Sequence, residues 1–264
     1  MTIDGKKIAE DALGTLLLER PVLGNLKLGV LMGARSAVTD SYVAIKARVG
    51  ERLGVELVRI ELGPTSDTQE AVYAVEELVK NTNGVVVQLP FPAAIDLEAV
   101  LSAIPESHDV DAVNPNAPPR LVRPPVAEAI SEIFMRTGVV ALGKKTVVVG
   151  AGRLVGEPAA QLLRTLGAEV EVVTKNDGNL LSLKNADIVV LGAGDPYFCT
   201  PEMLKEGVVL IDAGTSESSG KVVGDATPEC AKVASVFTPV PGGVGPIAIA
   251  MLYKNLFVLA KAQK

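Results

Sequence analysis

The chain has 264 residues, a formal net charge of −6 and 48% apolar residues, with few aromatics and no Trp. That length gives ample core for one large or two small domains, and the acidic balance without any basic run argues against a nucleic-acid partner. Two cysteines, Cys199 and Cys230, fit a reducing cytoplasm, and the single histidine, His108, leaves little from which to build a Ser-His-Asp machine or a metal centre.

Asp4 to Leu18 reads as an opening helix with Asp4 as its N-cap, broken by Pro21 and Gly24. Leu28 to Met32 is a short apolar strand, and Asp40 to Leu53 a helix stopped by Gly54. Val55 to Glu61 alternates as a strand, Thr68 to Lys80 is helical, and Gly84 to Gln88 is a buried-strand run. Leu89-Pro90-Phe91-Pro92 cannot continue that strand, because proline has no ladder donor, and Asp96 to Ile104 is a short helix. This pattern predicts a small parallel α/β layer. Between residues 105 and 125 six prolines mark a loop or linker and the first domain boundary.

After a connecting helix from Val126 to Thr137 comes the stretch that organises the rest. Thr146 to Val149 reads as a buried strand; Gly150, Gly152 and Gly156 follow; a helix then runs to Leu166 and ends on Gly167. Glu169 to Val173 completes a βαβ unit of about thirty residues. Glycines at such a junction let a backbone lie against a pyrophosphate, with the helix N-terminus supplying N–H donors. The spacing G-x-G-x-x-x-G is one residue longer than the usual fingerprint, so an ordinary tight turn stays open. Further strands are expected at Asp187 to Leu191, Val208 to Ile211, Val222-Val223 and Val236-Phe237. A glycine–proline loop, Thr238 to Pro246, feeds a long apolar helix from Ile247 to Ala262. No apolar run reads as a membrane span and no signal peptide is evident, so no membrane partner is expected.

Tyr42 and Lys46, four apart, share one face of a helix. An aromatic beside an amine could carry a substrate and a proton, since a desolvated lysine drops toward neutral pKa; on pattern alone a solvated lysine is the more ordinary reading. Gln88 ends a strand where open α/β sheets place ligands, with Asp109 and Asp111 in a following loop; satisfied loop hydrogen bonds explain them equally well. The second strand of the βαβ unit ends Thr174-Lys175, without the acid that usually holds an NAD ribose. A cation there suits a 2′-phosphate and hence NADP, with NAD possible and a solvated Lys175 equally ordinary.

Taken together, these segments resemble the FolD family, bifunctional 5,10-methylenetetrahydrofolate dehydrogenase/cyclohydrolases, over nearly the whole chain. The resemblance is carried by Thr238 to Pro246 with Ala250-Met251-Leu252, Val87-Gln88-Leu89-Pro90, Asp109-Val110-Asp111, Tyr42 with Lys46, Val155-Gly156-x-Pro158, and Gly224-Asp225. It implies a folate-binding catalytic domain of residues 1–122 and 246–264 and a Rossmann-like NAD(P) domain of residues 123–245, the last helix returning to the first domain. It further implies Tyr42 stacked on the folate, Asp111 on the pterin edge, Lys46 moving protons with Gln88 holding it, and Pro241, Gly242 and Gly243 binding substrate. Gly150, Gly152, Arg153, Val155, Gly156, Thr174 and Lys175 would hold the cofactor. No metal is needed, and a cytoplasmic homodimer serving purine biosynthesis is expected. A member with one activity, or a non-catalytic folate or nucleotide binder, is the alternative.

The chain departs from the family pattern in three places. Val110-Asp111-Ala112 stands where Val-Asp-Gly is usual, and Pro124-Pro125-Val126-Ala127 where Pro-Cys-Thr-Pro is usual. Gly150-Ala-Gly-Arg-Leu-Val-Gly156 replaces Gly-Arg-Ser-x-x-Val-Gly, so Arg153 is the residue left to substitute for the missing phosphate-binding arginine and serine.

Overall fold

A computed structural model describes residues 1–33, 37–117, 121–174, 180–218 and 220–263. In chain order they form α1 (Gly5–Glu19), β1 (Leu26–Met32), α2 (Ala37–Arg52), β2 (Val55–Glu61), α3 (Thr68–Asn81), β3 (Gly84–Gln88), α4 (Leu97–Ser102) and α5 (Pro125–Thr137). There follow β4 (Lys145–Val149), α6 (Gly156–Thr165), β5 (Glu169–Val173), β6 (Ile188–Leu191), β7 (Val209–Asp212), β8 (Ser216–Ser218), β9 (Lys221–Val223), β10 (Val236–Phe237) and α7 (Val244–Ala262).

Local chemistry explains most of these ends. Asp4 caps α1 by accepting the Lys7 N–H at 3.0 Å. Asp67 and Glu70 form a reciprocal capping box on α3. Asp96 accepts from Glu98 and Ala99 at the start of α4. Gly54 and Gly167 leave α2 and α6 with positive φ, a conformation that a side chain disfavours. Helix α7 begins three residues earlier than its apolar pattern suggests, so Pro246 lies within its first turn rather than at its first position. That turn has N–H groups without intrahelical acceptors, and the missing donor removes nothing.

Contacts divide the chain into two units. The first comprises residues 11–125 and 249–264, around the parallel sheet β2-β1-β3. Helix α3 places Ala71, Ala74, Val75 and Leu78 on one face, packed with Leu31, Val85 and Val87 of the sheet and Val100, Leu101 and Ile104. The returning part of α7 buries Leu252, Tyr253, Leu256, Phe257 and Leu259 in this unit. By length and composition α7 could cross a membrane, which corrects the expectation that no run is long enough; it is nonetheless mostly buried in the protein.

The proline-rich stretch after α4 is more than a linker. Asp109 is buried and accepts from Val113 and Asn114 at 3.0 and 2.8 Å, and Asn114 donates to the Ile104 carbonyl at 2.7 Å. The division between the units falls at the end of this stretch, after Pro125, the first residue of α5.

The second unit comprises residues 1–10 and 126–248, around the parallel sheet β10-β7-β6-β4-β5. Val147, Val149, Val189, Leu191 and Leu210 form its core with Leu183, Leu204 and Phe237. Residues 1–10, expected in the catalytic domain, group here because Ile3 N–H donates to Phe237 and Gly5 N–H to Gly242, both at 2.8 Å. Strand β9 covers the short strand expected at Val222-Val223; its hairpin partner β8 and the 3-10 turns at Leu180–Asn185, Pro201–Met203 and Pro228–Lys232 lack any long apolar period, and periodicity does not find them.

Candidate active site

In the first unit the candidate catalytic residues gather at the carboxyl ends of the strands. Gln88 closes β3, opposite Met32 at the end of β1. Lys46 reaches it from α2: its Nζ donates to Gln88 Oε1 at 2.6 Å, and Gln88 Nε2 donates to the Leu89 carbonyl at 3.1 Å. The lysine therefore meets the amide oxygen, and the amide's other end is pinned to backbone. Burial lowers the Lys46 pKa, opposed by the negative charge of Asp111. Burial likewise pushes the Asp111 carboxyl up to about 6; Lys46 pulls it down and Asp109 pushes it further up. A lysine lowered beside an acid raised narrows the gap between their proton affinities, as a proton-handling pair requires.

Two residues on α7, which the sequence reading did not single out, hold this cluster from behind. The buried Tyr253 hydroxyl donates to the Lys46 carbonyl at 2.6 Å, and Gly50 makes room, since a Cβ there would lie 2.6 Å from that hydroxyl. Asn255 Nδ2 donates to the carbonyls of Val110 and Arg123, both at 2.8 Å, fixing the strap that carries Asp111. Polar groups on an otherwise apolar helix were the available signal. Tyr42 sits one turn before Lys46, half-buried. Ala112 takes a φ of 53°, which explains why glycine suits that position; here alanine bears the left-handed backbone. His108 is half-buried in the loop, its Nδ1 2.9 Å from Ser107 Oγ.

In the second unit the βαβ junction is shaped by missing side chains. A Cβ on Gly156 would overlap the Gly150 carbonyl, and one on Gly150, whose φ is 102°, would overlap the Gly192 carbonyl. A Cβ on Gly152 would meet nothing within 4 Å, which leaves its backbone open to an approaching group. No side chain caps the N-terminus of α6 at Val155; the Glu157 N–H donates to the Gly152 carbonyl at 3.1 Å and Pro158 has no N–H, so this end offers a phosphate the positive end of the helix dipole rather than a set of open donors. This cradle sits where β5 and β6, consecutive in the chain, flank β4 on opposite sides. Arg153 lies half-buried in the turn and Thr174 follows β5 half-buried; Lys175 lies outside the described residues. Pro241, Gly242 and Gly243 also belong to this unit. Gly243 is buried against the Pro239 carbonyl, and a Cβ on Gly5 would overlap the Gly243 carbonyl, so packing alone demands small residues there.

A parallel α/β unit with a lysine–amide–carboxylate cluster, joined in one chain to a dinucleotide cradle, defines a two-domain nucleotide-dependent enzyme. Comparison with known proteins names the kind. The catalytic-domain profile of tetrahydrofolate dehydrogenase/cyclohydrolase matches residues 3–111, and the NAD(P)-binding-domain profile of the same family matches residues 124–264. The chain belongs to the tetrahydrofolate dehydrogenase/cyclohydrolase family. The bifunctional protein FolD of Methanospirillum hungatei is 36% identical over 273 residues, spanning 99% of this chain and 98% of its own. The crystal structure of the bifunctional FolD enzyme from Campylobacter jejuni matches with a TM-score of 0.92 at 29% identity, over 100% of this chain and 99% of its own. The Trypanosoma brucei enzyme, solved with NADP and an inhibitor, matches with a TM-score of 0.90 at 30% identity, over 100% and 98%.

Proposed function

We propose that this chain is a bifunctional one-carbon folate enzyme, oxidising 5,10-methylenetetrahydrofolate to the methenyl compound with NADP and hydrolysing that product to 10-formyltetrahydrofolate. The observation that carries the reading is the part-buried Lys46–Gln88 hydrogen bond electrostatically coupled to Asp111, in a chain that also holds the glycine cradle. NADP, when bound, accepts the hydride from the methylene carbon. Gly150, Gly152, Val155 and Gly156 would let its pyrophosphate approach the turn backbone and the positive end of the α6 dipole, with Arg153 beside them; Thr174 and Lys175 follow the strand whose end meets the ribose.

Tyr42 supplies a flat face for the pterin and Asp111 accepts its edge N–H groups. Lys46, lowered by burial, takes the proton of water as it adds to the methenyl cation and returns a proton to the departing ring nitrogen. Gln88 holds the amine in place for both transfers. Pro241, Gly242 and Gly243 contribute substrate contacts. The chain acts as a cytoplasmic homodimer without membrane or nucleic-acid partners, and its formyl product suits purine biosynthesis. The resemblance and the acidic composition support this last group of statements.

One assay of the purified chain tests the activities. Methylenetetrahydrofolate with NADP, and separately with NAD, should yield reduced cofactor by its near-ultraviolet absorbance, faster with NADP. Supplied methenyltetrahydrofolate should lose its chromophore. Failure of either signal removes that half-reaction from the assignment.

A further inference from the structure

The Gly224-Asp225 pair stands out in the sequence, yet the chemistry above gives it no role. Asp225 is fully buried. Its Oδ2 accepts from the backbone N–H groups of Ala193 and Gly194 at 2.7 and 3.2 Å, and its Oδ1 from Asp195 at 2.9 Å. Three successive amides of the loop leaving β6 thus converge on one carboxylate, as backbone amides do on a bound anion. The carboxylate is locked in turn. A Cβ on Gly214 would overlap it, and the Asp225 N–H donates to Asp212 Oδ1 at 3.3 Å. Asp212, also buried, accepts from Gly214 at 3.0 Å and Ala226 at 2.8 Å, and a Cβ on Gly224 would overlap its Oδ2.

The clamped loop abuts the dinucleotide cradle. Gly192, just before the three amides, donates its N–H to the Val149 carbonyl at 2.9 Å. Its carbonyl occupies the space a Cβ on Gly150 would need, and a Cβ on Gly192 would overlap Val155 Cγ1. A line of direct contacts therefore runs from Asp225 through residues 193–195 and Gly192 to Gly150 and Val155.

We propose that Asp225 is a positioning residue for dinucleotide binding, its carboxylate holding the β6 exit loop as the fixed wall against which the glycine turn after β4 is shaped. The assignment rests on the NADP reading above. A carboxylate is required because the three groups facing it are all donors. In Asp225→Asn one oxygen becomes a second donor pointed at N–H groups, and the charge that holds all three is lost.

The test is NADP binding to the full chain, by calorimetric titration, with the cofactor-independent hydrolysis of methenyltetrahydrofolate as internal control. Asp225→Asn should raise the dissociation constant about ten- to a hundredfold, the loss of one charge-assisted interaction. Its hydrolysis rate should stay within about twofold of wild type. Unchanged NADP affinity in the folded variant would overturn the assignment. So would a parallel loss of hydrolysis, which marks a general structural role. Should the variant not fold, amide exchange on the wild-type chain decides: saturating NADP should slow exchange at Ala193, Gly194 and Asp195 about tenfold or more, and no slowing there overturns the assignment. A wild-type chain that binds no NADP sinks the cofactor reading itself, a result separable from failure of the variant alone.

Discussion

The two candidate sites are built from opposite materials. In the three-stranded unit the chemistry rides on side chains, with Lys46, Gln88 and Asp111 converging from a helix, a strand end and a loop. In the five-stranded unit the cradle rests on backbone and on missing side chains, at Gly150, Gly152 and Gly156. The first arrangement can lose its reactivity while keeping its shape, because truncating a polar head leaves the surrounding packing in place. The second cannot separate the two at Gly150 and Gly156, where an added carbon would overlap a backbone carbonyl of the cradle.

The sharpest way to test this contrast is to remove the support of the side-chain site. Ending the chain before Gly245 deletes Tyr253, Leu256 and Phe257, all fully buried, together with the hydrogen bond to the Lys46 carbonyl. The loss should exceed the roughly 5–15 kcal/mol by which domains are stable, so residues 11–125 should show no cooperative thermal unfolding. A truncated chain that melts like the full one would show that α7 is dispensable to the site.

Next in size is Lys46→Met. Hydrolysis of the methenyl compound should fall by about a hundred- to ten-thousandfold, the usual worth of a positioned proton carrier. NADP affinity, measured by titration, should stay unchanged, which separates the two sites. Retention of the hydrolysis rate would take Lys46 out of the mechanism.

Gly156→Ala addresses the other material. Its new methyl would overlap the Gly150 carbonyl, so strand and helix must part. Overpacking of this kind costs roughly 1–3 kcal/mol, and stability and NADP affinity should fall together. A variant with normal stability and weakened NADP binding would mean that the cradle, like the side-chain site, separates shape from function.

The smallest effect concerns pH. Asp111 carries a folded pKa of about 6 against an ordinary 3.8. Between those values the folded chain keeps a proton that the unfolded chain has released, so this group's contribution to stability declines as pH rises from about 4 to about 6. Asp111→Asn removes that decline. Relative to wild type, the variant should gain roughly 1–2 kcal/mol across the window, a figure discounted for partial exposure. Denaturant melts at both ends of the window would show it, and parallel stability curves would mean that Asp111 is not desolvated.

Much of the fold was legible from the chain itself. The ends of β2, β3 and β5 coincide with their apolar patterns, and the Asp4 cap and the glycine stops at 54 and 167 are local chemistry that any host structure would use. The βαβ junction was legible for the same reason, its strand, glycines and helix lying within one short segment. The candidate catalytic lysine was legible only through the family resemblance, not from its own surroundings. On its own helix Lys46 looks like a solvated cation, and only the fold brings it to Gln88, 42 residues away, and partly withdraws it from water. Tyr253 against Gly50, and Asp225 against the amides of 193–195, were hidden likewise, because their partners are backbone atoms and backbone carries no residue letter. Periodicity and capping are written in neighbouring residues, so sequence determines them; desolvation and long-range hydrogen bonding arise only when distant segments close on one another, and tertiary structure alone decides them.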